Sequence, residues 1–321
     1  MTPSNTTTEG LQQLIETGIF NHLPICDVCI TPVVNGTTAQ VFVDTGEGMV
    51  ELPSQISHSQ VQQWALGLMN KSGRSWDAKY PFMDFRHIDQ CGAWRVHIAF
   101  QPASVHGPSI SLRRLSVGSS SARNWQPTSH FELLKKAVDN KESILIAGAT
   151  GSGKTTLLSD LLGYAAASER ILVLEDTPEI STAHPHVLNL SARPPNSDGM
   201  GEITLRHLVR ESLRMRPDRI ILGECRGGEV LDLLQSLNTG HRGSLATLHA
   251  NSARDALRRL ELLCYLQATN PPPHSIIRDL IVHGVQWVVH LRRNNGSRVI
   301  SEILRIEGRE GDTILARPML D

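Results

Sequence analysis

Gly148-Ala149-Thr150-Gly151-Ser152-Gly153-Lys154-Thr155-Thr156 fills the pattern G-x-x-x-x-G-K-[ST]. Glycines at these positions let successive backbone N–H groups turn toward an anion without side-chain clash. Lys154 then reaches the β- and γ-phosphates of a nucleoside triphosphate, and the Thr155 hydroxyl ligates Mg²⁺. Such a loop needs a strand before it and a helix after it. The apolar run Ser143 to Ala147 predicts the strand, and the proline-free, Leu- and Ala-rich stretch Lys154 to Ala167 predicts the helix. The helix N-terminus adds partial positive charge beneath the phosphates.

Downstream, two further apolar runs end in carboxylates: Ile171 to Leu174 leads into Glu175-Asp176-Thr177-Pro178-Glu179, and Ile220 to Leu222 leads through Gly223 to Glu224. Strand ends are where an α/β sheet presents its ligand crevice. A carboxylate fixed there can hold Mg²⁺ or orient an attacking water, and either Glu175 or Glu224 fits the base. His249 follows the run Leu245 to Leu248 and is placed at the same edge, as a γ-phosphate sensor. Ser252 with Asp255 reads as a capping box for the next helix. Arg206, Arg210 and Arg214 recur every four residues, which predicts one helix face ending before Pro217. His184 and His186 flank Pro185 as loop residues, and Cys26 and Cys29 form one C-x-x-C with no second pair to complete a zinc site.

The elements that must position these residues divide the chain in two. Before residue 116, short alternating segments (Ala39–Val43, Trp94–Ile98, Ser109–Leu112) with a helix over Ser59–Asn70 predict an α+β domain over 1–115. Residues 116–129, rich in Ser with Gly and Pro, read as a linker. Residues 130–321 alternate strands and helices as an α/β domain, opened by a helix whose capping box would be Ser129 and Glu132. The tail, Val285 to Leu320, returns to strands.

Lys and Arg number 31 against 32 Asp and Glu, a net charge of −1, and aromatic residues make up 4% of the 321. Strand-tracking nucleic-acid channels use basic grooves and stacking rings, so this composition argues against a nucleic-acid motor and direct nucleic-acid binding. No apolar run of membrane-spanning length occurs, the N-terminus has no signal-peptide pattern, and five cysteines suit a reducing cytoplasm.

GATGSGKTT, LEDTPEI, LRMRPDRIILGECRGG, LLQSLNTGHRGS and ATLHANSARDAL occur in one order within residues 140–265. In that order they resemble the Walker A, Asp box, Walker B and His box of the secretion ATPases, the motors of type II and type IV secretion, conjugation and type IV pili. The wording is most similar to the CpaF/TadA branch of Tad pili and the TrbB branch of conjugation, and the short chain resembles the conjugation branch more. The first domain resembles the family loosely, through PFMDFR, GAWRV and ISLRRL. The resemblance implies a RecA-like P-loop ATPase domain with a parallel central sheet, after a smaller PAS-like α+β domain. It implies ATP and Mg²⁺ as ligands, with Lys154, Thr155 and Glu224 holding phosphate and metal, Glu175 as the base or water-orienting acid and His249 as sensor. Arg95, Arg113 and Arg114 would approach the phosphates or a neighbouring subunit. The implied assembly is a homohexamer at the cytoplasmic side of an inner-membrane machine, peripheral to the membrane through its partners. The four-cysteine insert of type II secretion ATPases is missing, and Cys225 stands where the family usually has an apolar residue. A non-hydrolysing regulatory scaffold is the alternative from another class.

Overall fold

Along Thr38–Asp44 buried and half-buried side chains alternate, so this strand must face a core on one side only. The computed structural model describes residues 25–45, 48–72, 80–89, 92–115, 125–195, 199–266, 271–294 and 297–319. The chain divides into two compact units, one of Met1–Val117 with Pro195–Met200, the other of Gly118–Pro194 with Gly201–Asp321.

In the first unit, β1 (Asp27–Pro32), β2 (Thr38–Asp44), β3 (Met49–Ser57), β4 (Phe82–Asp89), β5 (Gly92–Ala99) and β6 (Ser109–Leu115) form one sheet in the order β3-β2-β1-β6-β5-β4. Helix α1 (His58–Ser72) covers one face, where Val61, Trp64, Ala65 and Leu68 pack against Val41, Phe85, Val96 and Leu112.

The second unit begins with α2 (Thr128–Asp139), β7 (Ile144–Gly148), α3 (Lys154–Leu162), β8 (Ile171–Glu175) and β9 (Val187–Ser191). It continues through α4 (Leu205–Ser212), β10 (Arg219–Leu222), α5 (Glu229–Asn238), β11 (Leu245–Leu248), α6 (Ala253–Leu266) and α7 (His274–Gly284). It closes with β12 (Trp287–Asn294), β13 (Ser297–Glu310) and β14 (Thr313–Pro318). The eight strands lie in the order β14-β13-β12-β7-β11-β10-β8-β9. Neighbours from β12 to β9 pair parallel, and β13 and β14 add an antiparallel edge. The uninterrupted apolar runs are explained by burial from both sides: α2 and α3 pack on one face, α4 to α7 on the other. Leu157, Leu158, Leu161 and Leu162 of α3 are wholly buried, each contributing about 1.5–3 kcal/mol by removal from water.

Several local readings are corrected. Helix α2 is entered at Pro127 with no side-chain cap, and Glu132 receives Lys135 instead of closing a box with Ser129. Of the linker stretch, 116–124 lie outside the described residues, while Trp125 is buried in the second unit's core and donates to Asp160 Oδ2 at 2.8 Å. Helix α3 ends at Leu162, short of Ala167. Helix α4 ends at Ser212, so Arg214 lies beyond it and pairs with Glu211, while Arg206 and Arg210 both hold Asp232.

Arg219 opens β10 at the N-terminal edge of the sheet and is wholly buried. Its guanidinium pairs with Glu169, itself 4% exposed, and donates to the carbonyls of Gly243 and Val138. Burial raises the Glu169 pKa, but the Arg219 hydrogen bond and charge, with Lys141, outweigh it and hold the carboxyl below its ordinary value. A buried pair is worth little against an apolar replacement, whereas an orphaned partner is costly. Glu169→Gln should therefore destabilise the protein by about 3–5 kcal/mol, read as a lower urea midpoint. Because the folded-state pKa is depressed, this contribution is present above the unfolded value near 4.5 and disappears as pH falls through the lower folded value. The gap between wild type and variant should narrow in denaturation curves taken below that pH.

Candidate nucleotide site

Strands β7, β8, β10 and β11 run parallel, so their C-terminal ends share one edge. That edge carries the phosphate loop after β7, Glu175 as the last residue of β8, Glu224 two residues past β10, and His249 one residue past β11. The three downstream residues were predicted from the ends of apolar runs, and the fold brings Lys154, Glu224 and His249 into one connected cluster.

Lys154 Nζ donates to the carbonyls of Gly148 at 3.0 Å and Ala149 at 2.9 Å, and lies 3.5 Å from His249 Nδ1. His249 Nε2 lies 3.1 Å from Glu224 Oε1. These partners select the tautomer: Nδ1 accepts from the ammonium and Nε2–H donates to the carboxylate. The other Glu224 oxygen meets Arg226 Nη2 at 2.6 Å, and Arg226 Nη1 reaches Asp176 at 3.3 Å. Arg226 thus bridges the loops that follow β8 and β10. Its own position is set by Glu229 at the start of α5, whose Oε1 accepts the backbone N–H groups of Arg226 and Gly227 at 2.7 Å. The sequence reading missed Arg226, although it stands two residues past Glu224 on the same strand-end loop.

Glu175 is buried and held differently. Its Oε1 accepts the N–H groups of Glu179 and Ile180, both at 2.9 Å, so the carboxylate organises its own loop. Gly223 makes room for it, since a β-carbon there would lie 2.8 Å from Glu175 Cγ. Cys225 is buried in the core and burial pushes its thiol well up, in keeping with an apolar role.

The charges set one another. Burial lowers the Lys154 ammonium, with Glu224 opposing and Arg226 assisting. Burial raises Glu224, but Arg226, His249 and Lys154 together bring it below its ordinary value. Burial and then Lys154 lower His249 against the pull of Glu224.

The residues present fit a nucleotide's phosphates. Gly148, Gly151 and Gly153 have φ of 153°, 74° and 103°, conformations open to glycine. Ala149, Thr150 and Gly151 are exposed at the crest of the loop, and Thr155 and Thr156 are half-buried in the first turn of α3. Ser152 Oγ is buried without a hydrogen-bond partner, and such an atom costs free energy until an acceptor arrives. In the first unit, Arg95 and Arg113 are cross-strand neighbours on one face, paired with Asp84 and Asp27. Arg114 belongs to the opposite face and lies over the Trp94 ring. One face therefore holds Arg95 and Arg113 together and leaves Arg114 out.

A phosphate loop at the head of a doubly covered parallel sheet, with acids at neighbouring strand ends, defines a P-loop nucleotide-binding protein of the α/β ATPase fold. The chain matches the type II/IV secretion system protein family over residues 81–303 and belongs to it, and so to the secretion ATPases. It is 36% identical over 311 residues to a putative conjugal transfer protein of Mycobacterium tuberculosis, covering 93% of this chain and 87% of that protein. Conjugal transfer protein TrbB of Rhizobium radiobacter is 34% identical over 215 residues, 64% of this chain and 63% of the relative. Among solved structures, the VirB11 ATPase of the Brucella suis type IV secretion system has a TM-score of 0.50 at 25% identity, covering 94% of this chain and 97% of that one. The pilus retraction motor PilT has a TM-score of 0.62 at 22% identity, covering 91% and 80%, and shares the fold.

In the nucleotide-free protein, His249 should titrate below its ordinary value of 6.5. Lys154→Met should move that titration up, and Glu224→Gln should move it further down, as read from histidine ring NMR signals across pH. Unchanged titration in both variants would dissolve the electrostatic cluster.

Proposed function

We propose that this protein is an ATPase motor that works as a homohexamer at the cytoplasmic face of a membrane-embedded conjugation or type IV secretion machine, attached to the membrane through its partners. The observation that carries the reading is the cluster of Lys154, Glu224, His249 and Arg226 at the C-terminal ends of β7, β10 and β11. The family supports ATPase chemistry, and the names of the conjugal transfer and type IV secretion relatives support the setting.

Gly148 to Thr156 hold the phosphates, and Lys154 exchanges the carbonyls of Gly148 and Ala149 for phosphate oxygens. Thr155 and Glu224 would hold Mg²⁺, which would supply neutralisation of phosphate charge. The depressed pKa of Glu224 suits a metal-side carboxylate better than a base, because a base works best with a pKa near the operating pH. Glu175, aimed by two backbone N–H groups, is assigned to orienting the attacking water, and His249 to sensing the γ-phosphate. Arg95 and Arg113, sharing a face, are the first-unit arginines assigned to approach a phosphate or a neighbouring subunit. An arginine supplied at a ring interface raises turnover by roughly 10³–10⁵ in other nucleotidases, so isolated subunits should be slow.

ATP turnover measured across a size-exclusion profile should depend on Mg²⁺ and concentrate at hexamer mass. Equal turnover per subunit at every size would remove the ring from the mechanism. Glu224→Gln should keep ATP binding and lose turnover by two orders of magnitude or more (about 3 kcal/mol of barrier). Lys154→Ala should lose binding itself in a calorimetric titration.

A further inference from the structure

The phosphate loop has two flanks, because β11 and β12 lie on opposite sides of β7. The β11 flank carries His249 and, one strand further on, Glu224. The β12 flank is built from the hairpin of β12 and β13. Leu291 pairs with Gly148, the last residue of β7, yet β12 continues to Asn294 before β13 returns from Ser297. The hairpin therefore projects beyond the sheet edge, beside the loop, and Arg293 pairs there with Arg298.

Two contacts press this hairpin onto the loop. A β-carbon on Gly148 would lie 2.6 Å from the Leu291 carbonyl oxygen, and one on Gly153 would lie 2.7 Å from Arg298 Cδ. The motif's terminal glycines thus admit the hairpin as well as an anion. Arg298 Nη1 then donates to Thr156 Oγ1 at 3.1 Å. Thr156 is the third residue of α3, within the first turn, where helix N–H groups lack partners in their own helix. A guanidinium is consequently held at the anion-binding end of α3, on the flank away from Lys154 and the catalytic acids.

We propose that Arg298 is a nucleotide-positioning residue that grips the non-reacting end of the phosphate chain, at the α- and β-phosphates. The proposal rests on the nucleotide reading of the loop. Lys154, Glu224 and His249 mark the side where the γ-phosphate reacts, which leaves the opposite flank to the phosphates common to ATP and ADP. A guanidinium matches paired phosphate oxygens better than an ammonium, through its planar fork of donors. A group that binds reactant and product alike contributes to affinity more than to the chemical step.

The test is calorimetric titration of the wild type, Arg298→Ala and Arg298→Lys with Mg-ADP and with a non-hydrolysable Mg-ATP analogue. Arg298→Ala should weaken both ligands by about tenfold, a single charge-assisted contact's worth, and Arg298→Lys by less. In turnover, the larger share of the loss should fall on KM. Thermal unfolding without nucleotide separates a merely structural role: a lowered Tm with unchanged affinities would make Arg298 a brace for α3 and overturn the proposal. Loss for the ATP analogue alone would also overturn it, by placing Arg298 at the γ end. A wild type that binds neither ligand would instead defeat the nucleotide reading itself, an outcome distinct from wild-type and Arg298→Ala affinities that coincide.

Discussion

The buried pair of Arg219 and Glu169 anchors the sheet on which the site depends. One guanidinium binds the carboxylate before β8, the carbonyl at the end of α2 and the carbonyl of Gly243 before β11. Because β10 has only four residues, its start and its end move together. Arg219 pairs with Ile171 and Leu222 with Leu174, so fixing the buried end places Gly223 beside Glu175 at the far end, with Glu224 one residue beyond. The side chains that would do chemistry are placed from the opposite edge of the sheet. A fully desolvated charge has no alternative partner in water, which makes this register hard to lose by small displacements.

At the other edge the charges are arranged to be exchanged. Asp176, Arg226, Glu224, His249 and Lys154 satisfy one another in sequence, with Lys154 finishing on the loop's own carbonyls. Arg226 and His249 are about half exposed, and ion pairs of that kind contribute little net stability. A polyanion entering the loop can draw Lys154 from neutral carbonyl oxygens without dismantling a strong interaction. The contrast is functional: the deep pair is costly to break, and the shallow cluster is cheap to rearrange.

Much of this was legible locally. The phosphate loop, the strands Ile171–Leu174, Ile220–Leu222 and Leu245–Leu248, and the acids at their ends could be read because apolar runs declare a doubly buried strand and its limits. The Ser252 cap of α6 also forms, with its hydroxyl accepting the Asp255 N–H at 3.0 Å. What sequence withheld were partners distant along the chain. Nothing local to Arg219 distinguishes it as the guanidinium that finds Glu169 fifty residues away. The expected box of Ser129 and Glu132 failed because proline at 127 already supplies extended backbone at the helix entrance. The contact of Arg298 with Thr156 required knowing that β12 lies beside β7, a fact of topology absent from either segment.

The first-unit arginines carry the same lesson in a form that strand geometry decides. Side chains alternate across a sheet with a period of two, so Arg113 and Arg114, adjacent on β6, must point to opposite faces. Cross-strand pairing adds Arg95 to the face of Arg113, while Arg114 follows Trp94. Any ligand meeting this sheet from one side can use Arg95 and Arg113 together, never all three. Two guanidiniums on adjacent strands, each already held by an aspartate, form a patch whose positive charge is largely compensated until an anion competes for it. Arg95, Arg113 and Arg226 are thus cations paired in advance with carboxylates. Such pairing keeps the charges oriented while leaving their exchange inexpensive.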